Sequence, residues 1–276
     1  MDHICGFDTV FRLLYSKPEP VHFWGPTDTI KVVQSRAMGY TWNLVQGSRC
    51  HIVVHEITQN NIRNVKLNLV EGFSVIHEDP PTAFIDNKIF IDENIEIKGT
   101  ILDHKIDCMA YAIAETPKSN FIESEMEKMG LKPGIWCKEL KSKVTGNILI
   151  KGQIFDVMEL KNKLLQITIG KKLGYITDAI YNQKAKAKLL PILRNADEVV
   201  MECAYLDEEI DLATKHHHMT VSQVSSFAKD AEIKHLNLFH ISDRYPPEVR
   251  IQFLINAREI FPATDYPEHW GILPLQ

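Results

Sequence analysis

The sequence predicts an α/β layered fold whose N-terminal half is sheet-rich. Three observations carry this reading. Short apolar strands alternate with helices from Lys171 onward. β-rich segments crowd the chain before residue 115. Across 276 residues, 45% hydrophobic and 24% charged residues describe a globular core and exclude a disordered chain, a collagen and a disulfide scaffold. At ~100–200 residues per domain, this length fits one large domain or two small ones.

Taken in order, residues 8–16 read as a short helix that ends before Lys17-Pro18. Val21 to Trp24 is an apolar strand stopped by Gly25-Pro26, and Thr27 or Asp28 is the cap of the helix that follows. Cys50–Ile57, Val65–Val75 and Ala83–Ile91 are β-rich and bounded by Asn, Gly, Pro or Asp. Ile95–Leu102 and Cys108–Ala114 are two further strands, with His104 in the turn between them. Residues 115–145 are polar and rich in Lys and Glu, with a short helix at Glu123–Met129 and a Lys132-Pro133-Gly134 turn. They read as a linker, a protruding arm or a solvated loop. Beyond them come strand Leu173–Thr177, helix Ala185–Leu193 and strand Glu198–Glu202. Helix Val221–Ala231 opens at Thr220, strand Leu236–Phe239 ends at His240, and helix Pro247–Ile260 follows.

Charge and cysteine usage bound the function. Lys plus Arg number 31 and Asp plus Glu 36, a formal charge of −5, so the chain is not a globally basic nucleic-acid binder. Cys5, Cys50, Cys108, Cys137 and Cys203 are odd in number and form no CxxC pair. Reduced thiols in a cytosolic protein are therefore expected. Asp2, Asp8, Arg12, Lys17 and Glu19 leave no signal-peptide core in the first twenty residues, and no apolar run approaches the ~18 residues of a membrane span.

Candidate chemistry gathers at strand ends, where α/β folds place their sites. Asp178 follows Leu-Gly-Tyr-Ile-Thr, Glu202 follows Val-Val-Met, His240 follows Leu-Asn-Leu-Phe, and His104 follows Thr-Ile-Leu-Asp. Singly, each reads as a cap, a turn residue or a hydrogen-bonded structural group. With Asp2-His3 they form a set of nitrogen and oxygen donors suited to zinc or manganese. In His216-His217-His218 the first two read equally well as an exposed helix end, whereas His218 stands just before the helix opened by Thr220 and can point into a cleft.

These residues carry a family resemblance. Met201-Glu202-Cys203-Ala204-Tyr205, Ala213, His218-Met219-Thr220 and Leu236 to Tyr245 (with His240-Ile241-Ser242-Asp243-Arg244-Tyr245) resemble the ribonuclease Z family of the metallo-β-lactamase superfamily. Asp2-His3-Ile4-Cys5-Gly6 is similar to the end of that family's His-x-His-x-Asp-His metal motif. His22 to Pro26 is similar to its strand ending in Gly-Pro, and Leu102-Asp103-His104 and Tyr175 to Asp178 resemble its later metal positions. Gly130 to Gly134, followed by Lys138 to Lys141, resembles its substrate-binding arm. Departures are Glu202-Cys203-Ala204 for the usual Glu-Ala-Thr, Thr177-Asp178-Ala179 for Gly-Asp-Thr, and Ile135 in place of a second proline.

The resemblance implies a single αββα sandwich over residues 1–276 with an inserted arm at 116–146. It implies a zinc-dependent endonuclease, two ions per complete site with manganese as a substitute, that removes the 3′ trailer of precursor tRNA by hydroxide attack. His104 and Asp178 would bind the first ion, and Asp2, His3, Asp178 and His240 the second. Asp2 would orient the nucleophile or take its proton, and His218, oriented by Glu202, would stabilise or protonate the leaving oxygen. Lys132, Pro133, Gly134, Lys138, Lys141 and Arg244 would bind substrate, joined in the arm by Lys118, Lys128 and Lys143 and diluted by Glu123, Glu125, Glu127 and Glu139. A cytoplasmic homodimer is implied. The first two histidines of the metal motif and the opening strands are absent. Met1 is therefore expected to be internal to a longer reading frame, and this polypeptide to bind its first metal weakly and turn over poorly. The alternatives are a hydrolase of the same fold acting on a small phosphodiester or sulfate ester, and a shortened non-catalytic binding paralogue.

Overall fold

The computed structural model describes residues 2–14, 17 and 19–267, with the side chains of Asp2 and Leu14 outside the described residues. The chain divides into two units, one of residues 1–91, 95–113 and 172–276, the other of residues 92–94 and 114–171.

The first unit begins with a 3-10 turn at Asp2–Ile4 and helix α1 (Phe7–Leu14). Phe7 and Phe11, four residues apart, lie buried on one face of that helix. Strand β1 (Val21–Gly25), helix α2 (Thr29–Met38) and strands β2 (His51–Ile57), β3 (Asn61–Asn68) and β4 (His77–Ala83) follow. The strands form a sheet in the order β1-β2-β3-β4, with β1 parallel to β2 and the other two pairs antiparallel. Period-2 alternation sorts the side chains. Ile52, Val54, Val65 and Leu67 are fully buried against α1 and α2, and their neighbours His51, Val53 and His55 point to the opposite face.

Two expected strands end differently. The reading of Val65–Val75 as one strand fails at Asn68, whose side chain hydrogen-bonds Glu71 while Gly72 turns the chain at φ 60. The expected strand Ala83–Ile91 is broken by Asp86 and Asn87, both left-handed at φ 54 and 61, a conformation these two side chains tolerate. No side-chain cap is found where one was expected, because Asp28 itself takes a left-handed φ of 73 and Thr29 instead bonds the Pro26 carbonyl.

Strands β5 (Lys88–Ile91), β6 (Ile95–Asp103) and β7 (Asp107–Glu115) open a second sheet, and the chain then enters the second unit. There β8 (Lys118–Phe121), α3 (Glu123–Lys128), α4 (Ile135–Ser142), β9 (Asn147–Ile150), β10 (Gln153–Asp156), α5 (Val157–Leu164) and β11 (Leu165–Thr168) enclose a core of their own. Met126, Leu140, Ile148, Val157, Leu160 and Leu164 are its buried centre. β9 pairs with β10 and β8 with β11, both antiparallel, and Asp156 caps α5 by accepting from the backbone of Met158 and Glu159. The segment 116–146 falls within this unit, which continues to Lys171. Its two ends are tied together: Glu115 N–H donates to the Lys171 carbonyl at 2.9 Å, and Lys171 N–H to the Glu115 carboxylate at 2.9 Å.

Back in the first unit, β12 (Lys172–Ile176), α6 (Gln183–Leu193), β13 (Glu198–Glu202), α7 (Ile210–His216), α8 (Val221–Asp230), β14 (Leu236–Phe239), α9 (Pro247–Ile260) and β15 (Thr264–Asp265) complete the described chain. The second sheet runs β15-β14-β13-β12-β7-β6-β5, with β12 to β15 parallel. Leu189, Val199, Leu236, Phe227 and Phe253, none measurably exposed, pack α6, α8 and α9 onto it. Ile57, Ile62, Ile101 and Met109, with Trp24 and Tyr111 against them, fill the space between the two sheets. The first unit is thus layered helix, sheet, sheet, helix.

Candidate metal centre

The carboxyl ends of β12, β13 and β14 deliver three groups to one point. Asp178 stands two residues past β12, Glu202 is the last residue of β13, and His240 is the first after β14. His240 takes a left-handed φ of 57, which for an imidazole costs roughly 1–3 kcal/mol and persists only where surroundings impose it. His3 reaches the same place from the turn before α1, and its Nε2 lies 2.8 Å from Asp178 Oδ2. His104 comes from the β6–β7 turn, with Nε2 3.8 Å from that oxygen. His240 Nδ1 lies 3.3 Å from Asp178 Oδ1, a buried oxygen that makes no hydrogen bond.

Outer contacts fix how these groups present themselves. His104 Nδ1 lies 2.8 Å from the carbonyl of His217, which can only accept, so the proton sits on Nδ1 and Nε2 offers its lone pair. His218 Nδ1 lies 3.1 Å and 3.3 Å from the two oxygens of Glu202. Glu202 also accepts the Ala179 N–H at 2.8 Å, next to Asp178 in the chain. His218 is positioned by its own N–H bond to Ala213 at the end of α7, after His217 has turned left-handed at φ 58. One ligand atom from each of Asp178, Glu202, His218 and His240 lies within 4.8 Å of all the others.

The electrostatics follow from burial and company. Burial pushes the Asp178 carboxyl upward, but the His3 hydrogen bond and the charges of His240, His3 and His218 outweigh it and hold it below the usual carboxylate range. Glu202 is fully buried, and burial raises it to about 8 against the opposing Ala179 hydrogen bond. Cys108 donates its thiol to the Asp178 carbonyl at 2.8 Å and, chiefly through burial, is pushed up to about 12. A cavity of about 540 Å³ opens beside the centre, with His3, His104 and Asp178 on one side and Phe7, Trp24 and Tyr111 among its apolar walls.

Of the residues singled out from sequence, the structure brings together His3, His104, Asp178, Glu202, His218 and His240. The Asp2 side chain and Met1 lie outside the described residues. Arg244, four residues past His240, pairs with Glu209 at 3.1 Å and lies over the Tyr205 ring at 5.7 Å. Lys132, Pro133, Gly134, Lys138 and Lys141 belong to the second unit. There Gly134 precedes α4, the Lys132 carbonyl accepts from Trp136, and Lys141 lies over Phe121 at 5.4 Å. Sequence reasoning missed Cys108 and the His217 carbonyl. A cysteine in a strand and a main-chain oxygen carry no signal in residue type. Among the described residues no helix is long and apolar enough to cross a membrane.

A carboxylate ringed by imidazoles at parallel strand ends, in a four-layer α/β unit, defines a site whose donors suit a divalent metal ion. No protein-family model matches the chain. It is 28% identical over 271 residues to a protein named ribonuclease Z from Deinococcus radiodurans, covering 98% of this chain and 81% of that one. It is 30% identical over 180 residues to a ribonuclease Z of Chlamydia trachomatis (64% of this chain, 55% of that one). A ribonuclease Z of Listeria monocytogenes is 30% identical over 190 residues (68% and 59%). The chain therefore spans four fifths of the first relative and little more than half of the other two. Over nearly its whole length the chain is thus similar in sequence to proteins named ribonuclease Z. Among solved structures, a metallo-β-lactamase fold protein of Bacillus subtilis aligns with a TM-score of 0.49 at 13% identity, over 95% of this chain and 68% of that one. The short form of human tRNase Z aligns with a TM-score of 0.44 at 18% identity, over 82% and 62%.

Proposed function

We infer that this chain is a divalent-metal-dependent endoribonuclease acting at the 3′ trailer junction of precursor tRNA. The observation that supports it most is Asp178: a half-buried carboxylate with one oxygen bonded to His3 and the other, itself buried, making no hydrogen bond while facing His240 at 3.3 Å. Buried polar atoms are rarely left so, and imidazole and carboxylate donors around one fit a divalent cation. Zinc is the proposed ion, with manganese its alternative. His3, His104, Asp178 and His240, with Asp2, are the residues assigned to hold a pair of ions. Bound there, such ions supply Lewis acidity toward a phosphodiester and bring the pKa of water toward neutrality.

The chain's own residues do the rest. Asp178 anchors the imidazole of His3 and faces His240. His104 is locked in one tautomer by the His217 carbonyl. Asp2 is assigned to orient the nucleophile. Glu202 holds His218 through Nδ1, which leaves Nε2 to carry a proton to the departing ribose oxygen. Arg244 and the lysine-bearing second unit, with Lys132, Lys138 and Lys141, are assigned to the RNA backbone, where cations fix register without reading sequence. Assembly as a homodimer in the cytoplasm completes the reading.

Metal analysis of the dialysed full chain, paired with cleavage of a precursor tRNA, tests it. Asp178→Asn is expected to lower bound metal and abolish cleavage. Unchanged metal content in Asp178→Asn, or hydrolysis of a small phosphodiester with precursor tRNA untouched, would overturn the reading.

A further inference from the structure

A second histidine pair lies away from the Asp178 centre, on the face of the first sheet opposite α1 and α2. His22 on β1 and His55 on β2 place Nδ1 and Nε2 2.9 Å apart, with rings nearly parallel at 6°. The partners beyond them decide who holds a proton. Asn64 Nδ2 donates to the Pro80 carbonyl at 3.0 Å, so its Oδ1 is the atom 2.7 Å from His55 Nδ1. That oxygen only accepts, hence His55 carries its proton on Nδ1 and aims the Nε2 lone pair at His22. Trp24 stacks on His55 at 4.7 Å and 12°, which fixes the ring plane. The pair opens into a groove of about 310 Å³ that Asp79 and Thr82 also line, and Asp79 is the register partner of Asn64.

Two imidazole nitrogens aimed at one point need a cation between them, a proton or a metal ion. An oriented histidine whose other nitrogen donates to a fixed oxygen is how proteins prepare a metal ligand. We propose that His22 and His55 bind one divalent transition-metal ion of the zinc, nickel and copper class, with the Asp79 carboxylate turning in as third ligand. Two nitrogens and one carboxylate oxygen suit these ions and not magnesium or calcium. On binding, the His22 proton moves from Nδ1 to Nε2, so the pair stays neutral. Burial, then the neighbouring charges of His55 and His51, hold His22 below the ordinary imidazole range, and burial does the same for His55, which keeps both in the ligand form at neutral pH. No ligand is shared with the Asp178 centre, and the inference does not rest on the proposed nuclease reading.

The test uses the full chain in the Asp178→Asn background, so that this site reads alone. Equilibrium dialysis against Ni²⁺ or Zn²⁺ with elemental analysis should find about one equivalent bound. His22→Gln in that background should lose it, and Asp79→Asn should weaken it. Retention of the equivalent in His22→Gln, or none bound before it, overturns the proposal. Ring ¹⁵N resonances of the parent chain give a second readout free of any folding defect. Zn²⁺ should shift His22 Nδ1 and His55 Nε2 together, and unmoved resonances overturn the site.

Discussion

Glu202→Gln separates the two duties of the residue at the end of β13. The carboxylate accepts the Ala179 N–H at 2.8 Å and holds His218 Nδ1 at 3.1 Å. Glutamine keeps an acceptor for Ala179 and nearly the same volume, so stability should change by less than ~1.5 kcal/mol. It cannot keep both bonds as they are. With its oxygen on Ala179, its NH₂ faces the His218 Nδ1–H, donor against donor. The imidazole must move its proton to Nε2 and loses the acceptor that orients it. Protonation of a leaving oxygen by a positioned histidine is worth ~10²–10⁴-fold, and that is the expected fall in kcat for precursor tRNA cleavage. Glu202→Ala should add a stability cost of ~1–3 kcal/mol, because the Ala179 N–H is then buried without an acceptor. The assays are single-turnover cleavage, elemental analysis and urea denaturation. Cleavage by Glu202→Gln within tenfold of the parent at equal metal content would refute the reasoning. So would Gln and Ala variants of equal stability.

Other outcomes follow from the same geometry. Cys108, raised to about 12 and bonded to the Asp178 carbonyl, should resist maleimide at pH 8 while exposed Cys5 reacts, as peptide mass spectrometry will read. Leu140→Ala, at a site with no exposed surface, should destabilise the second unit by ~2–5 kcal/mol and speed amide exchange in α3 to α5 while leaving β12 to β14 protected. Burial raises Asp265 but hydrogen bonds from His235 and Arg258 outweigh it, so its carboxyl sits below the ordinary 3.8. Its contribution is present above that pH and lost as acid takes the pH through the folded value, so Asp265→Asn should flatten the acid limb of the stability curve. Excising residues 116–170 should weaken precursor tRNA binding while hydrolysis of a small phosphodiester persists. Equal loss of both would argue against a separate RNA-gripping role for the second unit.

The parallel half of the fold was legible because each strand there is a short apolar run ended by a polar residue. Leu236–Phe239 before His240 and Glu198–Glu202 appear as read. The same punctuation marked Asp178, Glu202 and His240 as neighbours, since parallel strands in one sheet end on one side. Resemblance added the pairing of His218 with Glu202, which no spacing rule supplies. The antiparallel half was harder. Asp86 and Asn87 sit inside a run that looks continuous, and only their left-handed backbone reveals the turn. The second unit was obscured by its surface. Ile135, Val144, Leu149, Ile154 and Ile167 are all exposed, so apolar positions there do not separate inside from outside.

The paired hydrogen bonds between Glu115 and Lys171 make the second unit a cassette. Its entry and exit are adjacent, so the sheet strands β7 and β12 sense only a short bridge, whatever the inserted length. Loop-closure entropy grows by only ~0.6 kcal/mol per doubling of length, so such a port tolerates replacement at little thermodynamic cost. A tight turn, or a foreign module with closely spaced ends, is therefore graftable between residues 115 and 171 with the imidazole cluster left as it stands.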